Sequence, residues 1–333
     1  MNQKYLIIDL NNMIHRAKHV GGRQVDNWTK IGLALHISLS SISKCWHDHN
    51  ATHVVVCLEG RSWRKDFYEP YKANRKAALV AKSEEELELD NLLYEAVDDF
   101  IELLQKRSNC TVLQNGILEA DDLIGGWVQL HPNDEHIIVS TDTDFLQLLS
   151  EHVSMYNGVT EELYTISGIF DHNGKRVIDK KTKEPKDVPD PKWLLFEKCI
   201  RGDSSDNIFS AYPKITKKST KNRVGLLEAY GDIDKKGYAW NNLMQQVWID
   251  HDGIEHKVAN DYERNRTLID LSAQPDNIRN VIESTIKENA VSKNNPTVGI
   301  FFLKFCGKYD LKKISEHPNG YVEWLKAPYV TES

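Results

Sequence analysis

The stretch HIIVSTDTDF at residues 136–145 joins a short apolar run to a pair of acidic residues. The run His136 to Ser140 has the length and the isoleucine and valine content of a buried strand. Asp142 and Asp144 follow it at once, so both carboxylates are expected at the carboxyl end of that strand. In an open parallel sheet, ligands bind beyond the carboxyl ends of the strands. The stretch therefore predicts a sheet and a site at its edge.

Other segments repeat this strand pattern, and helical segments separate them. Strands are predicted for Tyr5 to Asp9 (YLIID) and His53 to Leu58 (HVVVCL), with a weaker pattern at Thr111 to Leu113. Apolar residues recur at helical spacing over residues 28–46, 87–104 and 123–130. Strands that alternate with helices predict an α/β domain built on a mainly parallel sheet.

The pattern changes after Val153. Glu162 to Ile166 predicts one more strand, and residues 168–190, rich in Lys, Asp and Pro, predict a hairpin or a long surface loop. From Pro191 the chain has helical character almost to its end. We therefore expect a sheet-based core over residues 1–190 and an α-helical region over residues 191–333.

The composition is that of a globular protein, with 40% hydrophobic and 27% charged residues among 333. No stretch approaches the length of a membrane span, and residues 1–9 lack a signal-peptide core, so we expect a cytoplasmic protein without membrane contact. The five cysteines stand singly, which predicts neither a zinc site nor a disulfide framework. The net charge of −7 opposes nucleic-acid binding, but the distribution of charge matters more than its sum.

Acidic residues recur where predicted strands end or helices begin. Taken singly, each is more readily explained as a helix cap, and a DxD motif alone would also suit a metal-dependent transferase. Several carboxylates in one crevice would repel strongly, and hard divalent cations remove that repulsion. Their joint occurrence therefore predicts a shared metal site to which at least four of these groups contribute. The acidic residues at such positions are Asp9, Glu59, Glu119, Asp121, Asp122, Asp142, Asp144, Asp203 and Asp206.

Basic residues concentrate in two segments. The first interleaves its cations with aromatic residues, a composition that suits single-stranded DNA but also a solvated helix face. It contains Arg61, Arg64, Lys65, Tyr71, Lys72, Arg75 and Lys76. The second, which could also be a mobile basic loop, contains Lys214, Lys217, Lys218, Lys221 and Arg223. The acidic run from Glu84 to Asp90 would repel DNA, so we expect it on a solvated outer face.

Five motifs follow one another in an order that resembles the 5′-nuclease superfamily. They are IIDLNN at 7–12, YEPYKANRK at 68–76, EADD at 119–122, STDTDF at 140–145 and GDSSDN at 202–207. The superfamily comprises flap endonucleases and the 5′–3′ exonuclease domains of DNA polymerases, and the resemblance is strongest to the branch found in T-even-like bacteriophages. It implies a PIN-like nuclease core with a helical arch at about 62–105. It also implies a DNA-binding region with a modified helix-hairpin-helix-like element at about 195–230.

The resemblance also implies roles for individual residues. The nine acidic residues would hold two Mg²⁺ ions, for which Mn²⁺ could substitute. Lys72 and Arg75 would face the scissile phosphate as catalytic residues, and Tyr71 would stack on a terminal base. Two departures stand out. Glu59 occupies a position where Asp is usual, and AYPKITKKSTKNRVG (211–225) lacks the Gly-x-Gly of a hairpin whose amides grip duplex phosphates, with its potassium site. We expect lysine side chains to take over that contact.

The expected function is hydrolysis of phosphodiesters at 5′ flaps, nicks or the 5′ ends of RNA–DNA primers in DNA replication, by a water that Mg²⁺ activates. The expected partners are flapped or nicked DNA, RNA–DNA hybrids, a single-strand-binding protein and a sliding clamp. The chain would act as a monomer in the cytoplasm, that of the host if it is phage-encoded. Two alternatives stay open: a PIN-type ribonuclease, and a non-catalytic, structure-specific DNA-binding protein.

Overall fold

The structure is a computed structural model that describes residues 3–18, 25–75, 82–220 and 223–330. Its contacts divide the chain into two compact units. The first comprises Met1–Ser62, Lys82–Val188 and Arg279–Ser333, and the second comprises Trp63–Ala81 and Pro189–Ile278. One boundary between these units falls after Val188, and the predicted domain division after residue 190 stays a prediction. Residues 279–333, however, belong with the sheet-based unit, and the segment predicted as an arch is shared between the units.

The first unit contains a seven-stranded sheet in the order β3-β2-β1-β4-β5-β6-β7. Its strands are β1 (Lys4–Asp9), β2 (His53–Cys57), β3 (Thr111–Leu113), β4 (Glu135–Val139), β5 (Val153–Asn157), β6 (Glu162–Thr165) and β7 (Gly168–Phe170). Strands β1 to β5 pair in parallel, and β6 and β7 are antiparallel additions at one edge. The predicted α/β class and mainly parallel sheet are confirmed.

The strand order changes direction at β1. The chain runs from β1 to β2 and β3 on one side, then crosses back to place β4 and β5 on the other. Such a switch point opens a crevice at the carboxyl ends of the two central strands. Ile8 pairs with Val139, so the next residues, Asp9 and Ser140, are side by side at that edge.

The described residues also form a 3-10 helix at Thr143–Leu148 and a series of α-helices, numbered here in chain order. They are α1 (Leu10–Lys18), α2 (Asn27–His49), α3 (Arg64–Phe67), α4 (Glu84–Arg107), α5 (Ala120–Leu130), α6 (Pro191–Arg201), α7 (Leu226–Gly231), α8 (Tyr238–Met244), α9 (Val258–Ile269), α10 (Asp276–Asn289), α11 (Val298–Lys308), α12 (Lys312–Glu316) and α13 (Asn319–Lys326). The helices predicted at 28–46, 87–104 and 123–130 are confirmed as parts of α2, α4 and α5. Among the described residues no helix combines the length and apolarity that a bilayer span requires.

Local sequence explains where the long helices begin. Asp26 precedes α2 and accepts a hydrogen bond of 3.0 Å from the amide of Thr29. Ser83 precedes α4 and forms a reciprocal capping box with Glu86. Between these helices and the sheet lies the main apolar core, in which Phe100 of α4 meets Phe305 of α11 with ring centroids 5.6 Å apart.

Asp90 departs from the prediction for the acidic run. Glu84, Glu85, Glu86 and Glu88 are exposed as expected, but Asp90 is only 5% exposed. Its carboxylate pairs with Lys18 at the end of α1 and, at 2.7 Å, with Lys82. Asp90 lies three residues before the buried Leu93, on the inner face of α4, and two lysines compensate its charge there.

The second unit contains α3, α6 to α9 and a hairpin of β8 (Val247–Ile249) and β9 (Glu255–Lys257). Its own apolar core includes Phe196, Ile200 and Leu226. The hairpin corrects the prediction of continuous helix beyond Pro191. Its strands pair across a tight turn, and Trp248 stacks on His256 at a ring separation of 4.4 Å.

Candidate active site

Four carboxylates of the first unit act on a fifth, that of Asp121. Burial, followed by the charges of Glu119, Asp9, Glu59 and Asp142, raises the pKa of Asp121 well above its ordinary value. The five come from the end of β1, the loop after β2, the start of α5 and the loop after β4. The parallel sheet therefore brings five of the nine predicted ligands to one edge.

Both carboxylate oxygens of Asp9 are held in place. Oδ1 accepts a hydrogen bond of 3.2 Å from the amide of Asn12, and Oδ2 accepts one of 2.9 Å from the hydroxyl of Ser140. The Ser140 oxygen in turn accepts a 3.1 Å hydrogen bond from the amide of Asp142. Hydrogen bonds of this kind orient a ligand and tune its basicity. Ser140 thus connects two candidate ligands.

Asn12 fastens the start of α1 to the loop after β4. Its side-chain oxygen accepts hydrogen bonds from the amide of Thr141 at 3.2 Å and from the Thr141 hydroxyl at 3.0 Å. Sequence reasoning assigned no function to Asn12, Ser140 or Thr141. All three lie inside the motifs IIDLNN and STDTDF, so their position beside the acidic residues was the available signal.

Glu59 reaches the first turn of α5. Its Oε2 accepts a hydrogen bond of 3.1 Å from the amide of Ala120, where the helix dipole favours negative charge. The next residue must be glycine, because a Cβ on Gly60 would lie 2.1 Å from the carbonyl oxygen of Asn115. This close approach holds the Glu59 loop against the segment that leads into Glu119.

Helix capping, the alternative explanation for each acid, accounts for part of the set. Glu119 and Asp122 form a reciprocal capping box in which Asp122 Oδ2 accepts the amide of Glu119 at 3.0 Å. Asp142 caps the 3-10 helix by accepting the amide of Asp144 at 2.9 Å. A capping hydrogen bond of this kind is accepted by only one of the two carboxylate oxygens. The charges of Glu119 and Asp142 still raise the pKa of Asp121. The side chain of Asp122, by contrast, is fully buried and accepts a hydrogen bond from the backbone at the start of α5.

The carboxylates of the first unit are spaced apart. Within the described ranges, three metal-ligating atoms lie within 4.8 Å of one another only at Asp250, His251 and Asp252, on the turn of the β8–β9 hairpin. No three ligating atoms of the described cluster around Asp121 meet that spacing.

In the second unit, Asp203 and Asp206 lie in the loop after α6. Oδ1 of Asp203 accepts the amide and the hydroxyl of Ser205 at 2.8 and 2.6 Å, and Oδ2 lies 3.0 Å from Lys198 Nζ. Burial opposes ionisation of Asp203, but the Ser205 hydrogen bond and the Lys198 charge outweigh it and lower its pKa. The turn requires Gly202, whose φ is +76°.

Asp206 meets the predicted catalytic cations within the same unit. Arg75 Nη2 lies 2.8 Å from Asp206 Oδ1, and Lys72 Nζ lies 3.6 Å from Oδ2. The side chain of Arg75 is 57% exposed and that of Lys72 only 8%. One candidate ligand and the two candidate phosphate-facing cations therefore form a single charged group.

Two non-glycine residues in the left-handed backbone conformation hold the charged group of Lys72, Arg75 and Asp206 in place. Lys72 has φ +53° and Asn207 has φ +56°. The amide of Lys72 donates to the Asp206 carbonyl at 2.8 Å, and the side-chain amide of Asn207 donates to the Pro70 carbonyl at 2.7 Å. Left-handed non-glycine residues persist only where surrounding contacts impose them. Asn207, which sequence reasoning missed within GDSSDN, is therefore part of the arrangement.

Two predicted DNA contacts are buried. Tyr71 is 3% exposed and its hydroxyl donates to Asp206 Oδ2 at 3.0 Å, so its ring does not face a terminal base. Arg64 is 2% exposed and its Nε donates to the carbonyl of Leu268 at 2.7 Å. Both side chains therefore form internal contacts of the second unit, contrary to their prediction as DNA contacts.

The other predicted cations are distributed as follows. Exposed side chains belong to Arg61, Lys65, Arg75, Lys214, Lys217, Lys218 and Arg223. Lys76 and Lys221 lie outside the described residues. Because Asp203 and Asp206 belong to the second unit, their convergence with the Asp121 cluster stays a prediction.

Known proteins resemble this chain in sequence. A family model described as "5'-3' exonuclease, N-terminal resolvase-like domain" matches residues 4–178, just over half of the chain. The flap endonuclease of Escherichia phage T5 is 29% identical over 207 residues, which are 61% of this chain and 63% of that protein. The 5'-3' exonuclease of Bacillus subtilis is 28% identical over 232 residues, 66% of this chain and 65% of that protein.

DNA polymerase I of Rhizobium leguminosarum is 30% identical over 187 residues, 55% of this chain and 16% of that protein. The chain thus spans between 16% and 65% of the length of these three relatives. A crystal structure of the bacteriophage T5 flap endonuclease, a pseudo-enzyme–product complex with DNA and metal ions, has a TM-score of 0.57 at 22% identity. The match covers 86% of this chain and 98% of that one and shows a shared fold. The chain belongs to the family of 5′-3′ exonuclease N-terminal, resolvase-like domains.

Proposed function

We propose that the chain is a divalent-metal-dependent 5′-nuclease that hydrolyses phosphodiesters at 5′ flaps, at nicks and at the 5′ ends of RNA–DNA primers during DNA replication. The observation that carries this proposal is the position of Asp9 beside the Ser140–Asp142 segment at the switch point of the sheet, where four carboxylates act on Asp121. Family membership supports the proposal. The solved complex of the bacteriophage T5 flap endonuclease with DNA and metal ions, which has the same fold, supports it as well.

The residues present fit divalent cations. The donors are all carboxylate oxygens, which hard cations prefer. Burial is the main cause of the raised pKa of Asp121, the neighbouring carboxylates add to it, and a cation would relieve their repulsion. Asp9, Glu59, Glu119, Asp121 and Asp142 would hold the ions in the first unit, and we propose that Asp144, Asp203 and Asp206 complete a two-ion Mg²⁺ site that also accepts Mn²⁺. When bound, such ions lower the pKa of water and neutralise charge on the phosphate.

Lys72 and Arg75 would stabilise charge on the phosphate under attack. Arg75 already pairs with a carboxylate through one nitrogen, and its exposed guanidinium can offer a fork of donors to phosphate oxygens. The ammonium of Lys72 is shielded from water, so its field is screened less than that of a surface lysine. Asp206 would hold both cations in place until the substrate arrives.

The test compares cleavage of a labelled 5′-flap DNA with Mg²⁺ and with EDTA. Wild type should cut near the junction only with Mg²⁺, leaving a 5′-phosphate. The double variant Asp142→Asn, Asp144→Asn should lose at least about 1000-fold in rate, while the exposed pair Asp98→Asn, Asp234→Asn should not. Cleavage in EDTA, or by the first variant at the wild-type rate, would contradict the proposal.

The same assay separates the two alternatives. A PIN-type ribonuclease would cut a single-stranded RNA of matched sequence faster than the flap DNA. A non-catalytic binder would hold the flap DNA without cutting it at any Mg²⁺ or Mn²⁺ concentration. We expect flap DNA to be the preferred substrate.

A further inference from the structure

One aromatic side chain of the second unit is exposed although its neighbours along the chain are buried. Ile208, Ala211 and Tyr212 belong to the apolar core of that unit, whereas Phe209 is 57% exposed. A single exposed aromatic residue is ordinary on a protein surface, so its surroundings decide what it can do. Those of Phe209 are a fixed backbone and a neighbouring charged group.

The backbone of Phe209 is held by the buried side of helix α9. Its carbonyl accepts hydrogen bonds from the side-chain nitrogens of Asn265 at 2.8 Å and Arg264 at 3.1 Å. Asn265 is fully buried and also donates to the carbonyl of Cys199. The Phe209 ring meets the ring of Tyr68 at a centroid separation of 6.3 Å and nearly at a right angle. The exposed ring therefore has a fixed support.

The loop that ends at Phe209 also carries Asp206. The Asp206 carboxylate lies 2.8 Å from the exposed guanidinium of Arg75. Three residues separate Asp206 from Phe209 along the chain, so their Cα atoms lie within about 11 Å of each other. Between them, the main chain of Ile208 pairs with that of Asp203 through hydrogen bonds of 2.7 and 2.9 Å. An aromatic ring and a cation, both exposed, thus belong to one fixed stretch of surface.

We propose that the Phe209 ring stacks on an unpaired base of the flap strand, next to a phosphate that Arg75 contacts. The proposal rests on the proposed function, because it assigns a base contact to that substrate. Every base has a flat face, so an aromatic ring holds a base of any sequence while a cation meets the adjoining phosphate. Tyr71, which the sequence predicts in a stacking role, is buried and donates to Asp206. Stacking on Phe209 positions the strand for cleavage.

The experiment removes the ring and the base, separately and together. Wild type and Phe209→Ala cut a 5′-flap DNA with Mg²⁺, and then a matched series in which one nucleotide within two positions of the junction is abasic. Phe209→Ala should lower kcat/KM on the intact flap by about tenfold, the usual effect of one stacked base. Wild type should lose as much on one abasic substrate. On that substrate the two proteins should have equal kcat/KM, because no stack is left to lose.

Three further variants complete the comparison. Phe209→Trp should retain most of the activity, and Phe209→Leu, which is apolar but has no flat aromatic face, should lose nearly as much as Phe209→Ala. Tyr238→Ala removes an aromatic residue of the same unit that is 81% exposed, and it should cut every substrate at the wild-type kcat/KM. Circular dichroism melts establish that each variant folds, and Phe209→Leu serves in the abasic series if Phe209→Ala does not.

A ring that only supports the fold, or that contacts another protein, would not distinguish the substrates. An equal ratio of wild-type to variant kcat/KM on the intact flap and on every abasic flap would therefore overturn the proposal. Failure of the proposed function is a separate result, in which wild type cuts none of the flaps at any Mg²⁺ concentration.

Discussion

The hydroxyl of Ser140 lies 2.9 Å from Oδ2 of Asp9 and joins the carboxyl ends of β4 and β1. Because the same oxygen accepts the amide of Asp142, it sets two candidate ligands relative to each other. Removing a group that orients a metal ligand costs about 10–100-fold in metal affinity or activity. We therefore expect the Ser140 hydroxyl to strengthen metal binding by orienting these two carboxylates.

Ser140→Ala should weaken Mn²⁺ binding by about tenfold, measured by isothermal titration, while Ser140→Thr, which keeps a hydroxyl, should bind closer to wild type. Ser154→Ala is the control, since that hydroxyl donates to the carbonyl of His136 within the sheet. Unchanged Mn²⁺ affinity in Ser140→Ala would remove Ser140 from the site.

Asp121→Asn should stabilise the metal-free protein at neutral and alkaline pH. Because the fold raises the pKa of Asp121, its favourable contribution is present below its ordinary pKa of ~4 and is lost as the pH rises through the folded-state value. In EDTA at about pH 8 the Tm should rise by roughly 2–4 °C, and near pH 4 the gain should vanish.

Added Mg²⁺ should raise the Tm of wild type more than that of Asp121→Asn, since a cation relieves the same repulsion. Asp98→Asn, an exposed change of equal charge, is the control. A metal-free Asp121→Asn protein that is less stable than wild type at pH 8 would contradict the raised pKa of Asp121.

Arg75→Ala and Lys72→Ala should each lower the single-turnover rate of flap cleavage by about 100–1000-fold, the usual cost of losing one charge-stabilising group. Arg75→Lys keeps the charge but loses the fork of donors, so only partial recovery is expected. Lys235→Ala, an exposed cation of the second unit outside the predicted DNA contacts, should retain most of the rate. A loss below about threefold for Arg75→Ala would exclude its catalytic role.

Two substitutions at Asn207 distinguish the contribution of its left-handed backbone from that of its side-chain hydrogen bond. Asn207→Gly keeps the left-handed conformation but loses the hydrogen bond to Pro70, and it should lower kcat for flap cleavage by roughly tenfold with KM little changed. Asn207→Ala adds about 1–2 kcal/mol of backbone strain and should also lower the Tm. Lys236→Gly, at another left-handed position, controls for backbone flexibility. Wild-type kcat in Asn207→Gly would refute a positioning role.

Asp90→Asn should destabilise the protein at neutral pH by ~2 kcal/mol, since two lysines lose a charged partner. Burial opposes the charge of Asp90, but Lys18 and Lys82 outweigh it and lower its pKa. The stabilisation is therefore present above the ordinary pKa and is lost as the pH falls through the lower folded-state value. Denaturant titrations should show a shallower acid dependence in Asp90→Asn than in Glu88→Gln. An equal loss of stability with falling pH in the two variants would contradict the pairing of Asp90 with Lys18 and Lys82.

The sheet was predictable because each strand carries its own signal. Runs such as YLIID and HVVVCL are short, apolar and bounded by polar residues, so their burial follows from local sequence. The ends of parallel strands share an edge, and the proximity of Asp9 and Asp142 therefore follows from the sequence pattern itself. The hairpin at Val247–Ile249 was missed, since a three-residue strand carries too little pattern to compete with helical neighbours.

The burial of Tyr71 and Arg64 depended on distant parts of the chain. Their partners, Asp206 and the carbonyl of Leu268, lie more than 130 residues away, and no local period reveals such contacts. Asn207 and Ser140 were missed for a different reason. A polar residue beside an acid is ordinary in a loop, and only its hydrogen bonds distinguish an orienting residue from a spacer.

An anomalous-difference map of crystals soaked in MnCl₂ tests most directly whether the carboxylates around Asp121 form the metal centre. We predict strong peaks about 2.0–2.2 Å from oxygens of Asp9, Glu119, Asp121 or Asp142, and their loss in Asp121→Asn crystals. The hairpin trio of Asp250, His251 and Asp252 serves as an internal reference, because its ligating atoms are already close together. Peaks at that trio with none beside Asp121 would contradict a metal centre at the switch point of the sheet.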